Sequence, residues 1–305
     1  MGPMELDRPD FFIVGAPKCG TTTLARSLAE HRRIFMPAHK EPYYFGDDLT
    51  HRHGRMSRSE YAALFSPARP DQLAGEASTW SLWSSTAAAE IRSARPDARI
   101  IIMLRNPVDM IVSLHSEMVW EAEEDVLDVE AAVALDEDRG VGRGLPAGIG
   151  RPETVRYRSA ADFAPQVERY LAAFPREQVH VILFDDLVAD PSTVHREAVR
   201  FLGLDPDSPT LDRWNANKVV RSRRLQRLLL APPWPISAAM PTLRRSMPMH
   251  RLRDQLLRLN SRERARPPVD AAFRRRLSAE LWPMIDRLET LVDRDLSAWK
   301  EAREP

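Results

Sequence analysis

FFIVGAPKCGTTTL, residues Phe11–Leu24, reads as an apolar strand, a turn that carries Lys18, and a Gly-Thr-Thr that opens a helix. A strand feeding a glycine turn and then a helix gathers several backbone N–H groups at one point, with the positive end of the helix dipole behind them. Such a point holds an anion, commonly phosphate or sulfate. The spacing Gly15-x-x-x-x-Gly20-Thr21-Thr22 approaches the nucleotide P-loop, except that Thr21 fills the position where that motif has lysine. The lysine is Lys18, inside the turn, and this displacement argues against ATP as the ligand.

Outward from this stretch, apolar runs alternate with helical patterns. That alternation predicts an α/β chain, P-loop-like, with a central parallel sheet in three layers. Strands are expected at Phe11–Val14, Arg33–Met36, Gln72–Glu76, Arg99–Leu104 and Val179–Phe184. Helices are expected over Thr21–His31, Ser57–Phe65, Ser84–Ser93, Ala160–Phe174 and Arg274–Leu291, with others opened by Asn106-Pro107 and Asp190-Pro191. Beyond Asp205 strands are expected to cease, and Leu211–Arg266 reads as irregular segments and short helices over the sheet. The expectation is a single domain over 1–305, with a nucleotide-binding core at 1–205 and a helical, irregular annex at 206–305 that covers the nucleotide.

The 44 basic residues balance 44 acidic ones, so no global field favours nucleic acid. Charge is nonetheless blocked: Glu117–Asp138 holds ten acids and no base, and Arg221–Arg276 holds fifteen arginines against three acids. Such blocks read as solvated faces, or as walls of a cleft that attracts an anion. Only four of the basic residues are lysines: Lys18, Lys40, Lys218 and Lys300. In so arginine-rich a chain, Lys18 suggests a place where a compact ammonium is wanted; Lys40 and Lys218 stay undecided, and Lys300 reads as surface. Cys19 is the single cysteine, which excludes an intrachain disulfide and any cysteine cluster for a metal. His51 and His53 lack a neighbouring carboxylate–histidine pattern, so no metal is expected. Met1–Asp10 is polar and the run Leu228–Trp234 is broken by prolines, so a soluble cytoplasmic protein without a membrane span is expected.

A second anion site is suggested by MLRNPVDMIVS, Met103–Ser113. Arg105 falls at the carboxyl end of a buried strand, where open α/β sheets place ligands, and its guanidinium fork suits a phosphate. Ser113 follows about two turns along the next helix. Two anion pockets on one sheet fit a nucleotide phosphorylated at both its 5′ and 3′ ends.

The loop, the LRNPVDMIVS segment and the ending LETLVDRDLSAWK resemble sulfotransferases that use 3′-phosphoadenosine 5′-phosphosulfate, PAPS. Within them the chain is most similar to bacterial relatives of the heparan-sulfate and carbohydrate sulfotransferases. The resemblance places Lys18, Gly20, Thr21 and Thr22, with Cys19 and Thr23 in the same loop, on the 5′-phosphosulfate. It places Arg105 and Ser113 on the 3′-phosphate. In HKEPYYF, His39–Phe45, Glu41 matches the general base, and His39 is the rival for that role. In GEAST, Gly75–Thr79, Glu76 and Ser78 are candidates to meet the acceptor, while Ala77 stands where heparan-type members often have lysine. In WNANKVVRSRRL, Trp214–Leu225, Lys218, Arg221, Ser222 and Arg223 are candidates to cover the nucleotide, with Trp214 either stacking on the adenine or, in preference, anchoring the segment.

The resemblance implies in-line, metal-free sulfuryl transfer to a hydroxyl, in preference to an amine, of a carbohydrate or secondary metabolite. The product would be adenosine 3′,5′-bisphosphate, PAP. The rival readings are a small-molecule kinase using ATP and magnesium, and a non-enzymatic arginine-rich interaction module. Nothing in the sequence specifies the oligomeric state.

Overall fold

The computed structural model describes Leu6, residues 8–50, 54–206 and 269–300, together with Leu256, Asn260 and the backbone of 218–220 and 261–263. The chain divides into two compact units: 1–111 with 158–214 and 271–304, and 112–157 with 215–270.

The first unit is built on five strands: β1 Phe11–Gly15, β2 Ile34–Phe35, β3 Leu73–Ala77, β4 Arg99–Leu104 and β5 Val179–Leu183. All are parallel, in the order β2-β3-β1-β4-β5. Every residue of β1 and the run from Ile100 to Leu104 is buried, as expected of strands covered on both faces. Helices α1 Thr21–Glu30, α2 Arg58–Ala63 and α3 Ala87–Ala94 lie between the first four strands in the chain. The chain winds outward from β1 towards β2, then returns through β3 and crosses to β4 on the other side. With right-handed crossovers, that reversal puts connecting helices on opposite faces and opens a crevice at the carboxyl end of β1. In register, Phe11 lies opposite Gly75 on β3 and Arg99 on β4. Gly75 is there because any Cβ would run into the Phe11 ring and Met36.

The sequence signals that start helices act as read. Ser57 and Glu60 form a reciprocal capping box on α2. Asn106 Oδ1 accepts from the backbone N–H of Val108 and Asp109 at 3.0 and 3.3 Å, opening α4 Pro107–Trp120. The helix expected over 160–174 is two, α7 Tyr157–Ala161 and α8 Phe163–Ala173, parted at Asp162. Gln166 of α8 donates its amide to the carbonyls of Ser159 and Ala160, satisfying backbone acceptors that the break would strand. Helix α9 Phe184–Ala189 follows β5 directly, and α10 Pro191–Phe201 is capped by Asp190. The closing helix, α11 Ala271–Val292, is longer than expected, and the short α12 Ser297–Lys300 follows it.

The second unit contains α5 Val129–Ala134, α6 Asp136–Gly140 and an antiparallel pair, β6 Lys218–Val220 with β7 Ser261–Glu263. Strands therefore do not cease at Asp205. The pairing joins segments some forty residues apart, which a local pattern does not reveal. The acidic block is also more than a solvated face. Glu124 is buried and receives both Arg139 terminal nitrogens, at 2.7 and 2.9 Å, and the Tyr157 hydroxyl at 2.7 Å. Burial alone would push the Glu124 carboxyl up, but hydrogen bonds from Arg139, the Val126 N–H and Tyr157 hold it below the usual carboxylate range. His115 of α4 lies edge-on to Tyr157 and bonds the Val126 carbonyl, and burial pushes its imidazole down.

Removing one side of such a pair strands a buried charge, at a cost of about 3–5 kcal/mol. Arg139→Met is expected to lower the unfolding free energy, read from denaturant titration, by about that amount, and Glu124→Gln/Arg139→Met by clearly less. Equal losses in equilibrium unfolding would show that the buried carboxylate is not the cause.

Candidate active site

The turn after β1 is forced into shape by its glycines. Gly15 has φ +147°, and a Cβ there would sit 2.5 Å from the Thr79 carbonyl oxygen and 2.7 Å from Leu82 Cβ. Gly20 has φ +91°, and a Cβ would come within 2.8 Å of Leu187 and 3.1 Å of Phe184. Between them Lys18 adopts φ +63°, a left-handed conformation disfavoured for a side chain of this size. Gly20 is the N-cap of α1 and offers no side-chain cap, and the first turn carries no acid. The start of α1 thus has neither a capping side chain at its N-cap nor an acid in its first turn, which fits an anion. Thr22 and Thr23 keep partial exposure, whereas Thr21 is buried.

Cys19 is wholly buried, and its thiol donates to the Pro17 carbonyl. Burial pushes that thiol up to about 12, against the opposing pull of Arg105 and Lys18. Its backbone belongs to the loop, and its sulfur is shut away from solvent.

Arg105 leaves the end of β4 beside this turn. Its guanidinium lies 4.5 Å from the centre of the Phe184 ring, and Nη1 donates to the Lys18 carbonyl at 3.4 Å. The same Phe184 packs against Gly20, so one aromatic ring supports both the arginine and the start of α1. Ser113 is buried on α4 and falls in the second unit. Arg221, Ser222, Arg223 and Trp214 lie outside the described residues; Lys218 is described only as backbone, in β6 opposite Glu263.

The segment His39–Phe45 reaches the end of β3. Glu41 has φ +59° and Tyr43 φ +46°, so with Lys18 this corner holds three of the five non-glycine residues of positive φ among the described residues. Strain of this kind persists where the surroundings over-determine it, and it gathers at functional sites. Here the Glu41 N–H donates to the Ala77 carbonyl at 3.0 Å and the Tyr43 N–H to Ser78 Oγ at 3.3 Å. The Glu41 carboxylate accepts from the Tyr43 hydroxyl, from Thr79 Oγ1 at 3.2 Å and from Lys40, whose Nζ is 3.1 Å away. That ammonium also donates to Thr22 Oγ1 at 2.5 Å, which joins the candidate base to the anion loop. His39 is exposed at the start of the segment.

Glu76 and Ser78, expected to meet the acceptor, are both buried. Glu76 takes the Tyr61 hydroxyl, and burial raises its carboxyl above the usual range despite hydrogen bonds from Ser78 and Tyr61. Tyr61 stacks on Tyr44 with ring centres 4.1 Å apart, so Glu76 belongs to the packing beneath the segment. Sequence reasoning left Lys40 undecided and did not single out Tyr43, Thr79 or Phe184. For Lys40 the scarcity of lysine was the available signal; the others carry none. Among the described residues no group of His, Cys, Asp or Glu is arranged to hold a metal, and no helix is long and apolar enough to cross a membrane.

A sulfotransferase-domain family model matches residues 8–225, and the chain belongs to the sulfotransferase family. A solved structure of a sulfotransferase from Alicyclobacillus acidocaldarius superposes with a TM-score of 0.70 at 30% identity, covering 97% of this chain and all of that one. Carbohydrate sulfotransferase 15 of Mus musculus is 25% identical over 280 residues, 75% of this chain and 50% of the relative. The bifunctional heparan sulfate N-deacetylase/N-sulfotransferase 4 of the same species is 28% identical over 207 residues, 65% of this chain and 22% of the relative. The chain thus spans half or less of these two curated relatives. The family gives no support to the kinase alternative.

If burial governs Cys19, the native protein is expected to resist iodoacetamide over a period in which the denatured chain is fully alkylated. Mass spectrometry checks this, and rapid native labelling would place the thiol at an accessible surface.

Proposed function

We propose that this sulfotransferase takes PAPS as donor and transfers its sulfuryl group to a hydroxyl of a saccharide or small-molecule acceptor. One observation carries the reading: the Lys18 turn and Arg105 stand side by side at the ends of adjacent strands, linked through the Lys18 carbonyl. Two cations at one crevice suit a doubly phosphorylated nucleotide better than a single phosphate. The loop N–H groups and Lys18 would hold the 5′-phosphosulfate, and Arg105, with Ser113, the 3′-phosphate. Lys218, Arg221, Ser222 and Arg223 are proposed to cover the nucleotide.

The donor supplies an activated sulfuryl group whose S–O bond to the 5′-phosphate breaks as the acceptor oxygen bonds to sulfur. Lys18 and the loop amides stabilise the negative charge that gathers on the leaving oxygen. Donors preorganised in this way contribute about 3–4 kcal/mol each when removed singly. Glu41 takes the proton of the attacking hydroxyl. Its place beside the loop, through Lys40 and Thr22, supports it over the exposed His39. Tyr43 and Thr79 fix the carboxylate's direction.

Calorimetry is expected to show PAP binding without metal, and no comparable binding of ATP with magnesium; the reverse preference would overturn the reading. Lys18→Ala is expected to lower release of PAP from PAPS, over a panel of sugar and phenolic hydroxyls, by about 100-fold or more. Turnover at the unaltered rate would remove Lys18 from the reaction. Glu41→Gln is expected to lower turnover by about 100-fold or more while PAP affinity persists. An undiminished rate would move the base role to His39.

A further inference from the structure

Lys40 is the one lysine of the site that the proposed reaction has not yet used, and its placement is specific. Its ammonium lies 2.5 Å from Thr22 Oγ1, in the first turn of α1, and 3.1 Å from Glu41 Oε1. Lys40 and Glu41 side chains are 34% and 29% exposed, so both are open to a ligand entering the crevice. An ammonium has three donors, and Thr22 and Glu41 occupy two of them among the described residues. The backbone beneath is fixed: Glu41 is bonded to the end of β3 through the Ala77 carbonyl, in a left-handed conformation that leaves little freedom.

Charge and reach together suggest what the ammonium does. In the proposed reaction the nucleotide's phosphates fall to the Lys18 turn and Arg105. The base must reach the attacking hydroxyl, and that hydroxyl must reach sulfur. The sulfuryl group therefore has to lie between the loop and Glu41, which is the interval that Lys40 spans. We propose that Lys40 contacts the sulfuryl group of the donor, reading its presence and aligning it with Glu41. This rests on the PAPS reading above and extends it: Lys40 distinguishes the loaded donor from the spent nucleotide. A cation contacting an anionic oxygen forms one of the stronger hydrogen bonds, while PAP lacks the group that would accept it.

Calorimetric titration with PAPS and, separately, with PAP, in the absence of acceptor, tests this without knowledge of the acceptor. In the unaltered protein both nucleotides are expected to bind. Lys40→Met is expected to weaken PAPS about tenfold or more and to leave PAP within about twofold. Lys40→Arg, which keeps the charge, is expected to restore part of the PAPS preference. Thermal unfolding confirms that each variant is folded, and Lys40→Gln replaces Lys40→Met if the latter is not. Equal loss for both nucleotides would mean that Lys40 only braces the loop, and no loss for either would mean that it stands clear of the donor; both outcomes overturn the proposal and leave the PAPS reading intact. Failure of the unaltered protein to bind either nucleotide overturns the PAPS reading itself, and this proposal with it.

Discussion

The turn between β1 and α1 depends on a close approach that only glycine permits. At Gly15 the backbone passes so near the Thr79 carbonyl and Leu82 that no side chain fits. At Gly20 the backbone rests on Phe184 and Leu187 at the start of α9, which ties the beginning of α1 to the end of β5. Arg105 lies against the same phenyl ring. A cation over an aromatic face contributes about 0.5–2 kcal/mol depending on how far it is desolvated. The contact also restricts the guanidinium before any ligand arrives. The loop, the arginine and the ring thus pack together as one unit.

The corner formed by His39–Phe45 has a different support. Its backbone holds two residues in left-handed conformations that propensity alone would not choose. The stabilisation comes from below, where Tyr44 stacks on Tyr61, Phe45 meets Phe12 and Tyr61 edge-on, and Glu76 receives the Tyr61 hydroxyl. Large aromatic side chains bury enough area to offset local strain of about 1–3 kcal/mol per residue. Glu76 and Glu41, both carboxylates near the end of β3, consequently have opposite fates. Glu76 sits in the packing with its proton affinity raised by burial, and Glu41 remains open to solvent within a fan of three donors. Environment, and not residue type, leaves only one of them open to solvent.

Much of this was open to inspection in the chain itself. Strand β4 announces itself by RIIIML, because a strand covered on both faces has no polar side to alternate with. The starts of α2, α4 and α10 follow from Ser57, Asn106 and Asp190, whose side chains compete for nearby backbone N–H groups. The strand–turn–helix reads directly from the run through Gly15, Lys18 and Gly20, since its geometry is a local property of about ten consecutive residues. The break at Asp162 was hidden, because the amphipathic pattern runs across it and the side chain that sustains it, Gln166, carries no distinctive signal.

What the sequence determined by itself is therefore whatever a few neighbouring residues dictate: the strand–turn–helix, the capped helix starts, the arginine at a strand end and the family. Tertiary structure alone decided which charges are solvated and which distant groups meet. Glu124 lies within an acidic run, yet it is buried on Arg139, a contact that only folding brings about. Lys40 reaches Thr22 across eighteen residues because the segment after β2 crosses the end of β3, the strand beside β1, from whose end α1 starts. Local propensity carries no record of such meetings, for the packing that brings them together is summed over the whole sheet.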